Sequence, residues 1–385
     1  MSRLLFVVPP LAGHVNPLVG VAAAAVARGH EVAWVGPCPV VRDLVGERVY
    51  PAGSYVERRP AGLRAFAALR FLWAEFLVPL ADAMVPGVLA AVADFDPDLL
   101  VVDQQAFAGA LVAERLGLPW VTSASTSTEL ADPLGSMPRI AEWVRDQQRG
   151  LRDRHGVPGD DDLRFSPHSV VVFSTAELAG DPMVSVAGPH YVGPSLARRR
   201  PVEFPWARLR PGARLVLVTL GTTNSEAGGR FLAECALALA ELRDRDLQGV
   251  VIDPGGFLAP AGDVVVVPSA PLLDLIPRAA AVVCHGGHNT VCETLAHGVP
   301  LVVAPIRDDQ PVVADQVVAS GSGVRLRFDH ARAPDIAKAV RAVTAEPGYV
   351  EAACRVRASF DRAGGAQAVV SRVEDLVLSS RIARR

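Results

Sequence analysis

The chain has 385 residues, half of them apolar and 21% charged, with a formal net charge of -3. It is too long for one ordinary hydrophobic core and fits two domains. A near-neutral balance offers no basic face to neutralise phosphate backbones, which excludes nucleic acid as a partner class. Five cysteines at 38, 235, 284, 292 and 354 are scattered and odd in number. They argue against a disulfide framework and for a reducing compartment, so a cytoplasmic location is expected.

In chain order, the amino-terminal run "MSRLLFVVPPLAGHVNPLVGVAAAA" imitates a secretory leader, but Pro9, Pro10, His14 and Asn16 interrupt it. A buried strand at 4–9 followed by a helix explains it better. Asn16 is the expected cap, Pro17 the first helical residue, and Gly29 the stop. Further short apolar runs at 30–36, 98–103, 119–122 and 169–173 read as strands, with a helix at 106–116. No segment has about eighteen uninterrupted apolar residues, so no membrane span is expected. Between 54 and 90, Phe66, Trp73 and Phe76 stand in helix-compatible spacing. They are either core or the wall of a pocket for a small apolar acceptor.

The Pro- and Arg-rich stretch 190–213, including the run Arg198–Arg200, breaks the pattern, which restarts at 214–221. Strands then read at 249–253, 263–267, 280–284 and 299–304, with helices near 228–242, 290–297, 311–319 and 334–345. The succession predicts an α/β protein of two doubly wound Rossmann-like domains. The expected division is 1–195, a linker at 196–212, a second domain at 213–360, and a last helix at 361–385. Ligands in such sheets bind beyond the carboxyl ends of the strands, where His14, Asp103, Thr222, His285 and Asp309 fall.

The stretch "CHGGHNTVCETLAHG" at 284–298 raises the question of a metal, with Cys284, His285, His288, Cys292 and His297 close together. On a helix His297 lies about 140° round from Cys292, so the five do not converge on one ion and no metal is expected. The other reading is strand, Gly286–Gly287 turn, and a helix opening at Thr290, with Thr290 and Glu293 as a capping box and Gly298 as the stop. Open amides at such a helix start, with His285 at the lip donating a hydrogen bond or carrying charge, make a phosphate site. A capped core helix beside a tight turn is the alternative.

"HGGHNTVCETLAHGVPLVVAPIRDDQ" at 285–310 resembles the donor-binding signature of family 1 glycosyltransferases of the GT-B fold. "GHVNPL" at 13–18 is similar to that family's amino-terminal motif, and "GGAQAVVSRVEDLV" at 364–377 to its last helix. The resemblance implies a fold of two Rossmann-like domains facing across a cleft, and a last helix crossing back onto the first domain. It implies a nucleoside-diphosphate sugar as co-substrate and no metal or other cofactor. Residue by residue, it assigns Thr222, His285, Gly287 and Thr290 to the diphosphate, Glu293 to the ribose, and Asp309 and Gln310 to the sugar. Asn289 would lie near sugar and phosphate.

Two positions depart from the family. His288 stands where plant members usually have tryptophan, and Ser269 where many members stack a tryptophan on the base. Base recognition is therefore expected from the backbone near Ser269, Ala270 and Pro271, which favours TDP over UDP and suits deoxysugar donors. His14 looks like the general base and Asp103 like its partner, and an imidazole with an ordinary pKa of about 6.5 suits that task.

The expected activity is inverting, metal-independent transfer to an acceptor hydroxyl. A nucleotide-sugar epimerase of the same fold, and a non-catalytic partner protein built on it, are the alternatives. A dehydrogenase or P-loop enzyme is disfavoured, because no GxGxxG follows either opening strand and no GxxxxGK[ST] occurs. Homodimerisation is left open.

Overall fold

The computed structural model describes residues 1–46, 48–54, 63, 65–184, 188–197, 201–221, 228–242, 246–259 and 262–383. The chain divides into two units. The first comprises Met1–Ser174, Asp181–Ala197 and Ala363–Arg385; the second comprises Thr175–Gly180 and Arg198–Arg362.

In chain order the first unit carries β1 (Arg3–Val7), α1 (Ala12–Ala27), β2 (Glu31–Gly36), α2 (Val40–Val45), β3 (Val49–Pro51), α3 (Ala65–Arg70) and α4 (Val78–Phe95). β4 (Leu99–Asp103), α5 (Phe107–Leu116), β5 (Trp120–Ala124), α6 (Pro138–His155) and β6 (Val170–Val172) follow. α7 (Ala176–Ala179) belongs to the second unit, and β7 (Pro189–Tyr191) returns to the first.

The second unit continues with β8 (Arg214–Thr219), α8 (Gly229–Glu241), β9 (Leu247–Ile252), β10 (Val265–Val267), α9 (Leu272–Leu275) and β11 (Ala279–Cys284). α10 (His288–Leu295), β12 (Leu301–Val303), α11 (Gln310–Ala319), β13 (Gly323–Arg325), α12 (Ala333–Ala345) and α13 (Pro347–Ala363) complete it. α14 (Gly365–Ala383) closes the first unit.

Among the described residues, the first sheet runs β3-β2-β1-β4-β5-β6-β7 and the second β10-β9-β8-β11-β12-β13, with parallel pairing throughout. β4 and β5 are buried at every position, as strands covered by helices on both faces must be. One face of the first sheet packs Leu5, Val7, Leu100 and Val102 under α4 and α5. The other packs Leu4, Phe6, Leu99 and Val101 under α1 and α14. In each sheet the strand order reverses at one place, between β1 and β4 and between β8 and β11. That reversal is where crossover helices leave on opposite faces and a ligand crevice opens.

Several boundaries differ from expectation. α1 begins at Ala12, so His14 sits in its first turn and Asn16 is not the cap; Pro17 lies inside the helix. The amides of His14 and Val15 already bond the Leu11 carbonyl, so the turn nucleates before the proline. Residues 66–95 form continuous helical turns, α3 and α4 joined by a π-helical turn at Phe71–Leu77. By length and composition that segment is long and apolar enough to cross a membrane. Here its Trp73, Leu77, Leu80, Met84, Val88 and Phe95 are core, while Glu75 and Asp82 break the apolar run.

The stretch read as a linker is fastened over its described part. The Arg210 amide donates to Gln248 Oε1 at 2.7 Å, Gln248 Nε2 donates to the Arg208 carbonyl at 2.9 Å, and Phe204 and Leu209 pack on the second unit's core. Arg198–Arg200 lie outside the described residues. α14 packs Val369, Val370, Val373 and Val377 among Val15, Leu18 and Val21 of α1. Hydrogen bonds from His30 to Glu374 (2.8 Å) and from Arg381 to Asp98 (2.9 Å) fix it there.

Candidate active site

The first unit places an acid-base pair at its strand-order reversal. β1 ends at Val7 and α1 opens at Ala12, which puts His14 over the end of β4, where Asp103 is the last residue. His14 Nδ1 lies 2.8 Å from Asp103 Oδ1 although 89 residues separate them. The Asp103 side chain is wholly buried and that of His14 is 16% exposed. The Gln105 amide donates to Asp103 Oδ1 at 2.9 Å, so the carboxylate is held independently of the imidazole. Because an ionised carboxylate only accepts, Nδ1 carries the ring proton and the basic lone pair falls on Nε2.

Ser125, which the sequence reading did not single out, contributes Oγ at 2.7 Å from the same Nδ1. The only signal for it was its place one residue past β5. Asp103 Oδ2 and Ser123 Oγ, register partners on β4 and β5, are buried without a protein partner.

The second unit repeats the arrangement with different groups. β11 ends at Cys284 and His285 follows it at the reversal. Its ring is wedged between two glycines. A Cβ on Gly221, which follows β8, would lie 2.9 Å from the ring, and one on Gly287 would lie 2.4 Å from Nε2. Burial drives the His285 imidazole down to about 4, with a smaller opposing pull from a hydrogen bond to the Thr219 backbone and a further lowering by the Arg307 cation. His285 is therefore neutral at pH 7, and the expectation that it could carry charge is replaced by hydrogen bonding alone. Its Nδ1 is buried with no protein partner.

α10 opens at His288 with Gly287 as its cap, two residues earlier than expected. Thr290 is thus inside the helix and no capping box forms. Gly287 has no side chain to cap with, so the first amides of α10 receive no side-chain hydrogen bond at the cap. Gly286 adopts φ +82, and a Cβ there would stand 3.2 Å from the Gln310 carbonyl, so the starts of α10 and α11 lie against each other. This brings His285, Gly287 and Gln310 together. Asn289 and Thr290 are half-buried in the first turn of α10, and Glu293 is buried one turn later. Gly298, with φ +69, ends the helix region as expected.

Asp309 occupies the N-cap position of α11 without a side-chain capping hydrogen bond, Gln310 is the first residue of the helix and Pro311 its second. Gln310 Oε1 accepts from the amides of Ile306 (2.9 Å) and Arg307 (3.1 Å), leaving its NH₂ as the end able to meet a ligand. Ser269 is exposed just past β10 and Ala270 packs on the second unit's core. Thr222 lies outside the described residues.

The Cys and His string is dispersed by this geometry. Cys292 Sγ contacts His288 Nε2 at 3.5 Å, His297 Nδ1 donates to the Glu293 carbonyl at 2.9 Å, and burial pushes the Cys284 thiol up to about 12. Among the described residues no group of three or more His, Cys, Asp or Glu could hold a metal ion. Of the apolar trio, Trp73 is 4% exposed and stacks on Phe107 with centroids 5.3 Å apart. Phe66 is exposed and meets Trp143 edge-on at 5.4 Å, and Phe76 is half-buried. Phe76 packs against the same core cluster as Trp73.

Residues 257–376 match the family model of the erythromycin biosynthesis protein CIII-like C-terminal domain. The chain is 30% identical to 4'-demethylrebeccamycin synthase of Lentzea aerocolonigenes over 98% of its own length and 100% of that protein. It is 28% identical to the TDP-daunosamine transferase DnrS of Streptomyces peucetius over 96% and 95% of the two chains. The crystal structure of CalG4, the calicheamicin glycosyltransferase, superposes with a TM-score of 0.79 at 26% identity, covering 98% of each chain. Two parallel sheets with their helices, the two reversal sites and these likenesses together establish that the chain is an enzyme belonging to the family 1 GT-B glycosyltransferases of natural-product biosynthesis.

Proposed function

We propose that this glycosyltransferase moves a deoxysugar from a TDP-linked donor to a hydroxyl of an apolar aglycone, inverting the anomeric centre, with His14 as general base. The single observation that carries the reading is the His14 Nδ1 to Asp103 Oδ1 contact of 2.8 Å, made by a carboxylate with no solvent access. It is the arrangement that holds an imidazole in one tautomer and stabilises it once protonated.

In the proposed reaction, Nε2 of His14 takes the acceptor hydroxyl proton as that oxygen bonds the anomeric carbon. The bond from that carbon to the phosphate oxygen breaks on the opposite face, and the nucleoside diphosphate leaves with the electron pair. Its charge would be met by the positive end of α10 and by hydrogen bonding at His285 and Thr222, without a metal. Glu293 would reach the ribose, Asp309 and the Gln310 NH₂ the sugar, and Asn289 the neighbourhood of both. TDP is preferred because the Streptomyces peucetius relative is a TDP-daunosamine transferase, and because Ser269 offers no ring to a base. Phe66 and Phe76 would face the acceptor. The free thiols at Cys38, Cys235, Cys284, Cys292 and Cys354 suit the cytoplasm.

His14→Ala tests the base. Turnover of a TDP-sugar should fall by roughly 10²- to 10⁴-fold, the ordinary worth of a positioned general base. The melting shift induced by TDP should persist, because a ligand of the native state stabilises by mass action whether or not chemistry follows. Unchanged turnover would overturn the mechanism, and equal melting shifts with TDP, UDP and GDP would overturn the donor preference.

A further inference from the structure

We propose that Ser125 is a positioning residue for His14, a second acceptor on Nδ1 that sets the plane of the imidazole. The inference rests on the reading of His14 as general base.

Two acceptors converge on one nitrogen: Asp103 Oδ1 at 2.8 Å and Ser125 Oγ at 2.7 Å. A single Nδ1 proton faces both, and the Asp103 oxygen is already fixed by the Gln105 amide at 2.9 Å. Ser125 Oγ therefore accepts from the ring, and its own proton points elsewhere. One acceptor leaves an imidazole free to swing about the axis of that hydrogen bond. A second one, from a different strand end, removes the swing and so fixes where Nε2 is aimed.

The backbone is built for this. β5 ends at Ala124, and the Ser125 amide turns back to the Ser123 carbonyl at 3.1 Å, which carries the Ser125 side chain to the α1 face. Ser125 is 3% exposed, so water does not compete readily for the contact. The dyad supplied by β4 and α1 is thus a triad with β5 as its third support.

The test uses the full chain labelled with ring-¹⁵N histidine, with the His14 signals identified by their loss in His14→Gln. In Ser125→Ala the Nδ1 proton should exchange with water about three- to tenfold faster, the consequence of losing one hydrogen bond of ordinary strength. Its ¹⁵N shift should also move. Ser125→Thr keeps the hydroxyl and should restore both. The melting temperature of each variant, measured alongside, identifies a fold that has been lost. His14 signals unchanged in a folded Ser125→Ala, or a folded Ser125→Thr that behaves like the alanine variant, would overturn the positioning role. Undiminished turnover in His14→Ala would instead overturn the base assignment and leave the ring signals to stand, so the two failures are distinguishable.

Discussion

His285 is buried at the strand-order reversal of the second unit, and its protonation gives a measurable signature. The residue is 7% exposed and burial lowers the pKa of its imidazole to about 4, against an unfolded value of 6.5. The unfolded chain binds a proton there below about 6.5 while the native chain does so only near 4, so falling pH favours unfolding. The contribution is fully present above the unfolded pKa and is lost as pH drops toward the folded one. For a single group with those two values, lowering the pH from about 7.5 to about 5 removes about 2 kcal/mol. His285→Gln has no such titration, so the stability gap between it and the parent chain should change by that amount over the window. Asp82, Asp98 and Asp162, whose arginine, histidine and backbone partners hold them low against the opposing effect of burial, are common to both proteins and cancel. Hydrogen exchange of peptides covering β8 and β11, comparing the two proteins at matched pH, reads the gap in the second unit. A gap that stays constant between pH 7.5 and 5 would refute the claim that the ring is buried neutral.

Two further predictions probe packing. Gly287 has φ -64, which any residue adopts, so Gly287→Ala acts only through its Cβ, 2.4 Å from His285 Nε2. The ring must move. The expected cost is about 1–3 kcal/mol of stability, and TDP affinity by calorimetry should fall roughly tenfold, about 1.4 kcal/mol; unaltered affinity would show that the ring position does not matter to the donor. In the first unit Arg152 is 2% exposed and paired with Glu114 at 2.6 and 3.0 Å. Glu114→Ala leaves that guanidinium buried without its carboxylate, so urea unfolding should show a loss of about 3–5 kcal/mol, whereas a loss below about 1 kcal/mol would mean that the carbonyls of Pro158 and Asp161 suffice.

The two-sheet architecture was legible because parallel strands buried on both faces leave short unbroken apolar runs, as in "LLFVVP" and "DLLVVD". His14, Asp103 and His285 were legible because each follows such a run. Helix starts were not, since capping preference misplaced two of them. Asn16 and Thr290 are good caps, yet α1 and α10 open at Ala12 and His288, where the chain leaving β1 and the Gly286–Gly287 turn set the first turn. β3, β7 and β13 escaped because their sequences, VYP, PHY and GVR, lack the unbroken apolar run that marks the equally short β6, β10 and β12. Ser125 and the packing of Gly221 on His285 escaped for another reason: they matter through contacts at long sequence separation, 111 residues for Ser125 and His14.

The two histidine clusters, one in each unit, follow one construction rule and differ in the charge they present. Each sits where its sheet reverses order, and in each a histidine in the segment after one strand meets a group at or shortly after the end of the strand paired with it, His14 with Asp103 and His285 with Gly221. The first imidazole faces a buried carboxylate, 2.8 Å from Nδ1. Glycines beside the second imidazole bring backbone close and supply no charge, and burial keeps that ring neutral. Under the proposed function, a neutral ring and backbone amides would hydrogen-bond a diphosphate less tightly than fixed cations would, which suits a transferase that must release its nucleotide product on every turnover. The same fold element thus sets one histidine against a buried aspartate and the other between glycines, and the proposed mechanism assigns proton transfer to the first and leaving-group binding to the second.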